Sequence, residues 1–549
     1  MKRLIMVLAL LGSWQMNAEA QYVSDVWVSD QSDGTYVNPV LHADYSDPDV
    51  CAVGDDFYMT ASSFQCTPGL PILHSKDLVN WQLVNYALKE VEPKDFYRKP
   101  QHGKGVWAPC IRYHNGEFYI YWGDPDWGIF MVKTKDPRGE WEKPVLVKAG
   151  RGMIDPSPLW DEDGKVYLAH AWAGSRAGFN SIITICEMNA EGTQVIGEPV
   201  LVFDGNDGVN HTVEGAKFYK NNGYYYILAP AGGVVEGWQI ALRSKHVYGP
   251  YESKIVMAQG STDINGPHQG GWVKTRSGES WFVHFQDKGA YGRVIHLNPV
   301  EWKDNWPVIG TDKDGDGCGE PVKRHRKPDV GRNWPVQTPV ESDEFDSHKL
   351  GLQWEWHANY QDCFGFTSDL GYMRIYSHIL SEHFVNCWEV PNLLLQKFPA
   401  EEFTVTTKLK VSAKDDGQQS GLIVMGWDYC RIGVEKQGKA FVLKQTVCKD
   451  AEQGTPETVV TLAEVPVSRK FEAGLHPNYE RDIFLRVQVG KGAVCRFYYS
   501  LDGKKFMQAG APFTARQGKW IGAKLGLFSV TPYGKERGWV DVDWFRVSK

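Results

Sequence analysis

Between about residues 37 and 320, hydrophobic and polar positions alternate in short runs, broken by Gly, Asn, Asp and Pro, and helical periodicity is weak. Such runs predict strands of a few residues joined by tight turns. In "TVEGAKFYKNNGYYYIL" (212–228) the break at Asn221-Asn222-Gly223 reads as a hairpin turn, because Asn and Gly tolerate positive φ. An aromatic strand follows the turn, and Glu214 stands at the head of the strand before it. A lone carboxylate there is costly unless it is paired, hydrogen-bonded or used.

The pattern recurs. "SDPDVCAVGDDFYMT" (46–60), "VWAPCIRYHNGEFYIYW" (106–122), "IDPSPLWDEDGKVYLAH" (154–170), "VEGAKFYKNNGYYYIL" (213–228) and "GPHQGGWVKTRSGESWFVHF" (266–285) each place a polar residue or Trp ahead of a turn and an aromatic strand. The offsets are 11 from Asp47 to Tyr58, 12 from Trp107 to Tyr119, 12 from Asp155 to Tyr167, 12 from Glu214 to Tyr226 and 13 from His268 to Trp281. The segments begin every ~50–60 residues, room for about four short strands, which is the size of a propeller blade. The prediction is all-β: a five-bladed β-propeller over 37–320. The first strand of each blade lines the axis, so Asp47, Trp107, Asp155, Glu214 and His268 should converge on one mouth of the channel.

Three carboxyls in one cleft cannot all ionise freely; repulsion and desolvation raise at least one pKa. A proton donor and a proton acceptor then coexist near neutrality, as general acid–base hydrolysis of a glycosidic bond requires. Pro48 restricts Asp47 toward extended backbone, and a rigid, partly solvated Asp suits a base. Asp155 lies in a similar Asp-Pro context, and Glu214 has the longest reach and an apolar run behind it. The flanks alone leave the division of labour open. An Asp-Pro dipeptide is usually only a turn; the coincidence at matched blade positions is what points to chemistry.

Composition adds a substrate class and removes others. Aromatics make up 13% of the chain with 22 Trp, and indole faces suit sugar rings. Net charge is −8 and the densest basic run is "VKRHRKP" (322–328), so nucleic acid is not an expected partner. At the N-terminus, Lys2-Arg3, an apolar stretch from Leu4 to Leu11 and Ala18-Glu19-Ala20 give a signal-peptide pattern over 1–20, too short to span a bilayer. The expectation is an exported protein, periplasmic or secreted, with no membrane association. Ten Cys without a C-x-x-C exclude a zinc ribbon or redox motif and leave disulfides and buried thiols both open.

Residues 321–340 read as a linker, within a Gly-, Asp-, Lys- and Pro-rich stretch at 311–335. Asp312, Asp314, Asp316 and Gly317 mimic the start of a calcium loop, but Lys323 stands where an EF-hand needs Glu, so an ordinary polar turn is expected. From 341 to 549, alternating strands such as "EEFTVTTKLKV" and "GWVDVDWFRVSK" predict a two-sheet β-sandwich. Closure of that sandwich would bring Asp343 and Asp543 together around a structural calcium, with exposed strand-end acids as the plainer alternative.

"NPVLHADYSDPDV", "VWAPCIRYHNGEFYIYW", "MIDPSPLWDEDGKVYL", "TVEGAKFYKNNGYYYIL" and "YGRVIHLNPVEWKDNWPVIG" together resemble glycoside hydrolase family 43, and the second half resembles the concanavalin-like sandwich of its xylosidase-type members. The resemblance implies an inverting hydrolase with Asp47 as general base, Glu214 as general acid and Asp155 as the acid that orients Glu214. It implies pocket roles for Phe64, Trp107 and Arg293, and an axial role for His268 beside a calcium ion or a water cluster. Tyr45-Ser46 replaces the His-Pro that many members carry before the base, which leaves the sugar preference open. The expected activity is exo-release of terminal α-L-arabinofuranosyl, placed first, or β-D-xylosyl groups from plant hemicellulose oligosaccharides (arabinoxylan, xyloglucan or arabinan), with no cofactor needed for the chemistry. The alternatives are a non-catalytic carbohydrate-binding propeller and an endo-arabinanase.

Overall fold

The computed structural model describes residues 21–206, 208–473 and 476–549. The signal-peptide reading falls on residues 1–20, outside them. Five antiparallel four-stranded sheets follow one another in chain order. Blade I runs from Asp49–Val53 to Trp81–Leu88, blade II from Trp107–His114 to Val145–Ala149 and blade III from Met153–Trp160 to Val200–Asp204. Blade IV runs from Lys217–Asn221 to Glu252–Met257 and blade V from His268–Lys274 to Trp306–Ile309. The first hairpin of blades II and IV turns on Asn-Gly pairs with positive φ, Asn115-Gly116 (47° and 83°) and Asn222-Gly223 (49° and 71°), the second of them as the sequence predicts.

The segment ahead of blade I closes the ring. Leu41 bridges Ile295 of blade V, and the Asn38 side chain both accepts from Leu297 N–H and donates to the Leu297 and Val322 carbonyls. Behind this seam, Val50, Phe57 and Trp81 of blade I share a core with Trp281, Phe285 and Ile295 of blade V. Trp281→Ala in that core is expected to cost about 3–5 kcal/mol, read as a lower urea midpoint.

The second domain is a sandwich of an eight-stranded and a nine-stranded sheet. Strand Phe403–Ala413 buries alternate residues, and its Leu409 and Val411 join Ile483, Leu485 and Val540 against Leu422, Ile432 and Leu527 of the facing sheet. The ends of the domain meet: Asp343 and Phe545 exchange two backbone hydrogen bonds of 2.8 Å. The stretch 321–340 contributes Arg324–Arg326, paired with Thr35–Val37.

The two domains are docked by polar as well as apolar contacts. Thr67 of the propeller exchanges backbone hydrogen bonds with Trp356 of the sandwich. The buried Glu355 carboxylate pairs with both Lys397 and Lys524, and Lys524 also reaches Cys66 Sγ at 3.1 Å. All ten cysteines are free thiols, so cross-links have no part in this docking.

Candidate active site

Every inner strand opens on a left-handed residue: Asp47 (φ 53°), Ala108 (30°), Asp155 (55°), Gly215 (60°) and Gln269 (57°). Four residues on from each, Cys51, Arg112, Leu159, Tyr219 and Val273 pair with Tyr58, Tyr119, Tyr167, Tyr226 and Trp281. The true repeat frame is therefore this one. Asp47 and Asp155 hold the frame position itself, whereas Trp107, Glu214 and His268 stand one residue earlier. The left-handed residue interrupts the ladder, with register shifts at Trp107/Cys110, Ile154/Ser157 and His268/Gly270. The kink of such a bulge re-aims side chains. Asp47 is thus not in the extended conformation expected from Pro48; the bulge and the hydrogen bonds to its carboxylate hold it left-handed, at a local cost of about 1–3 kcal/mol.

Asp47, Asp155 and Glu214 line one cavity of about 170 Å³ together with Phe64, Trp107, Gln269, Arg293 and Trp520. The Asp47 carboxylate accepts from Ser46 Oγ (2.7 Å), Ser62 Oγ (2.6 Å) and Arg293 (2.9 Å). Ser62 Oγ in turn accepts from Ala108 N–H at 2.7 Å, which ties the base position of blade I to blade II. Asp155 accepts from Gly215 N–H at 2.6 Å. Position 215 admits only glycine: its φ is 60°, and a Cβ would meet Pro230 Cδ at 2.5 Å.

The electrostatics separate the acids. Burial, then the charges of Asp155 and Asp47, push the Glu214 carboxyl well above the usual carboxylate range. Burial and the charge of Asp47 also raise Asp155, but the Gly215 N–H and the fully buried Lys217 oppose it. No hydrogen bond among the described residues holds the Glu214 carboxyl. A proton shared by the two acids therefore rests on Glu214.

The pocket walls are aromatic. Phe64 and Trp107 meet edge to face at 6.4 Å, and Trp107 meets Trp520 at 6.2 Å. The Arg293 guanidinium lies 4.8 Å from the Phe285 ring centroid and 5.8 Å from that of Trp520. Arg176, bonded to Asp126, covers Trp107 at 5.7 Å. Trp520 comes from the sandwich, which therefore closes one side of the pocket.

The metal candidates fare differently. His268 is buried and held neutral, its pKa lowered to about 4 chiefly by burial, and its Nδ1 has no protein partner. That orphan atom suits a water, but among the described residues His268 joins no set of three ligating side chains, and calcium takes about six to eight oxygens. His268 alone does not fit that ion. Asp343 accepts from Trp354 Nε1 (2.9 Å) and Phe345 N–H (2.8 Å), while Asp543 pairs with Lys408 (2.5 Å). The expected calcium pair is corrected on this point: the strands meet, but each carboxylate already has protein partners. Asp312, Asp314 and Asp316 gather their oxygens, and those oxygens accept from Gly315, Gly317, Asp316 and Cys318 N–H groups of the turn itself.

Sequence reasoning missed Ser46, Ser62, Gln269 and Trp520. Gln269 was within reach, because counting back four residues from the partner of Trp281 lands on it. Trp520 carries no local signal that relates it to a pocket more than 200 residues away.

Comparison with known proteins follows the same division of the chain. Residues 36–307 match the family model "Glycosyl hydrolases family 43", and residues 342–548 match the model "Beta xylosidase C-terminal Concanavalin A-like domain". A Beta-xylosidase of Formosa agariphila is 33% identical over 94% of this chain and 90% of its own length. A Non-reducing end alpha-L-arabinofuranosidase of Bacteroides ovatus is 29% identical over 85% of this chain and 88% of its own. The crystal structure of the GH43 BlXynB protein from Bacillus licheniformis superposes with a TM-score of 0.75 at 28% identity, covering 94% of this chain and 99% of that one. With both domains matched in order and a relative 33% identical over 94% of the chain, the chain belongs to glycosyl hydrolases family 43 and is a glycoside hydrolase.

Proposed function

We propose that this hydrolase removes single terminal β-D-xylosyl or α-L-arabinofuranosyl groups from plant hemicellulose oligosaccharides, with inversion. One observation carries the reading: a cavity sized for a single sugar ring holds the half-buried Glu214 and an ion-paired Asp47, and is walled by Trp520 of the second domain. Glu214 gives its proton to the leaving oxygen. Asp47, fixed by Arg293, Ser46 and Ser62, draws a proton from the attacking water. Inversion requires about 6.5–9.5 Å between acid and base, and the two sit at the mouths of different blades. Asp155, anchored on Gly215 N–H, stands beside Glu214, and its negative charge is one of the causes that raise the Glu214 pKa. The whole step uses protein carboxyls and water.

A consequence is a pH effect. Asp155→Asn removes the charge that helps raise the Glu214 pKa, so the alkaline limb of the kcat/KM profile should move to lower pH by about one unit. An unmoved limb would remove Asp155 from the proton balance.

The relatives' names support both sugars, and the more similar of the two named relatives is the xylosidase. We place β-xyloside ahead of arabinofuranoside for that reason, reversing the order read from the sequence. Export to the periplasm or beyond remains part of the proposal, since oligosaccharides of plant walls are met outside the cytoplasm. An endo-acting arabinanase would need a groove open on both sides, and Trp520 stands in one of them. Side-by-side assays on nitrophenyl β-D-xyloside and α-L-arabinofuranoside test the substrate, and proton NMR of the first-formed anomer tests inversion. Release of internal fragments from arabinan, or binding of xylo-oligosaccharides without turnover, would overturn the reading.

A further inference from the structure

Four consecutive residues ahead of blade I wrap around Arg293. Asp44 Oδ1 accepts from Arg293 N–H (2.9 Å), Tyr45 N–H donates to the Arg293 carbonyl (3.1 Å), and Ser46 Oγ (2.7 Å) and Asp47 (2.9 Å) accept from its guanidinium. Asp44 is buried, and its other oxygen points away from the propeller. Oδ2 accepts from Gly522 N–H of the sandwich at 2.9 Å. Gly522 lies two residues beyond Trp520, and the next residue, Ala523, donates to the Ala290 carbonyl at 2.8 Å.

The approach at this point allows no side chains. A Cβ on Gly292 would lie 2.4 Å from Asp44 Cγ, and one on Gly522 would lie 2.7 Å from Gly292 N. Trp520 itself has a left-handed backbone (φ 65°), in a turn closed by Gly518 N–H to the Ile521 carbonyl at 2.9 Å. A bulky residue holds that conformation only where its surroundings over-determine it. Here the surroundings are the Gly518–Ile521 turn and the bonds of Gly522 and Ala523 to the propeller.

We infer that Asp44 is a positioning residue that sets the catalytic base and the sandwich-derived pocket wall from one point. Each oxygen of a single carboxylate takes one backbone N–H, so Arg293, and through it Asp47, is oriented by the same group that docks the Trp520 loop. The sandwich is in this sense part of the catalytic apparatus. Its docking is read by the base through Asp44, and its Trp is read by the sugar. The inference rests on the proposed roles of Asp47 and Trp520.

The test is a set of variants of the full chain assayed on whichever nitrophenyl glycoside the wild type cleaves faster, each checked by thermal unfolding. Asp44→Ala leaves two buried N–H groups without partners, and should lower kcat about tenfold through Arg293 and raise KM about tenfold through Trp520. In a Trp520→Ala background, Asp44→Ala should still lower kcat but should add no further rise in KM. Kinetics within about twofold of wild type in the folded Asp44→Ala protein, or a KM effect that adds in full to that of Trp520→Ala, would overturn the inference. If Asp44→Ala does not fold, Gly522→Ala carries the test. It keeps Asp44 but forces the loop off Gly292 and so off Asp44 Oδ2, so KM should rise and kcat should fall with it, and a rise in KM with kcat unaltered overturns the link. Glu214→Ala run in parallel separates the two readings. Near-wild-type turnover of unactivated xylo- or arabino-oligosaccharides by that variant sinks the site, whereas its inactivity on them beside unaltered Asp44→Ala kinetics sinks only the link.

Discussion

Glu214→Ala should fold normally yet lose about 10²–10⁴-fold in kcat/KM on xylo- or arabino-oligosaccharides, the share that a positioned proton donor supplies. The loss should depend on the leaving group. A dinitrophenolate departs without a proton, so on dinitrophenyl glycosides the variant should recover most of the wild-type rate. A uniform loss on both substrate kinds would mean that Glu214 shapes the pocket rather than donating. Stability gives a second handle on the same residue. The folded-state pKa of Glu214 is raised, so between the ordinary Glu value of about 4.3 and that higher pKa the folded protein holds a proton that the unfolded chain releases. Stability falls as pH rises through this window. Glu214→Gln abolishes that proton uptake. Its melting temperature should match the wild type in acid and exceed it progressively toward alkaline pH.

Much of this site was legible before any coordinates, and the reason is repetition. Hairpin turns such as Asn222-Gly223 carry their geometry in their residue types, and counting residues between turn and motif brings Asp47, Asp155 and Glu214 to one mouth of the axis. What the counting could not resolve was the frame. Trp107, Glu214 and His268 are more conspicuous than the Ala108, Gly215 and Gln269 that follow them, yet the left-handed bulge falls on the less conspicuous residue. A bulge inserts one residue without a mark in the hydrophobic pattern, so a one-place slip is invisible in alternation alone. Pro48 misled for a related reason: the preference for extended backbone before proline is a local bias, and the hydrogen bonds to the Asp47 carboxylate outweigh it.

The contacts across the domain boundary lay beyond reach for a different reason. Asp44 sits three residues before the base and looks like part of the same polar stretch, while Gly522 and Trp520 look like an ordinary loop of a separate sandwich. Only the approach of the two domains gives them meaning, and the sequence pattern of one domain carries no record of the surface of the other. The calcium pair failed in the converse way. Asp343 and Asp543 are on strands that do meet, as the closed sandwich requires. Whether two acids form a site depends on which neighbours claim their oxygens, and Trp354, Phe345 and Lys408 claim these.

Asp47→Asn should be the most damaging conservative change in the pocket, and its signature should be the opposite of that at Glu214. An amide cannot take a proton from water. With no covalent intermediate to fall back on, the loss should reach about 10³–10⁴-fold and be as large for dinitrophenyl glycosides as for oligosaccharides. The geometry also predicts damage beyond the missing base. Asp47 accepts from Arg293, Ser46 and Ser62 at once, and an Asn side chain has only one acceptor oxygen to offer them, so one of these donors must be left facing an NH₂ group. Ser62 is the residue that also holds Ala108 of blade II; its displacement would loosen the Trp107 wall and raise KM as well. Steady-state kinetics on paired substrates of high and low leaving-group pKa decide the matter. Parallel losses with a raised KM fit a base held in this network, whereas a loss confined to poor leaving groups would exchange the roles of Asp47 and Glu214.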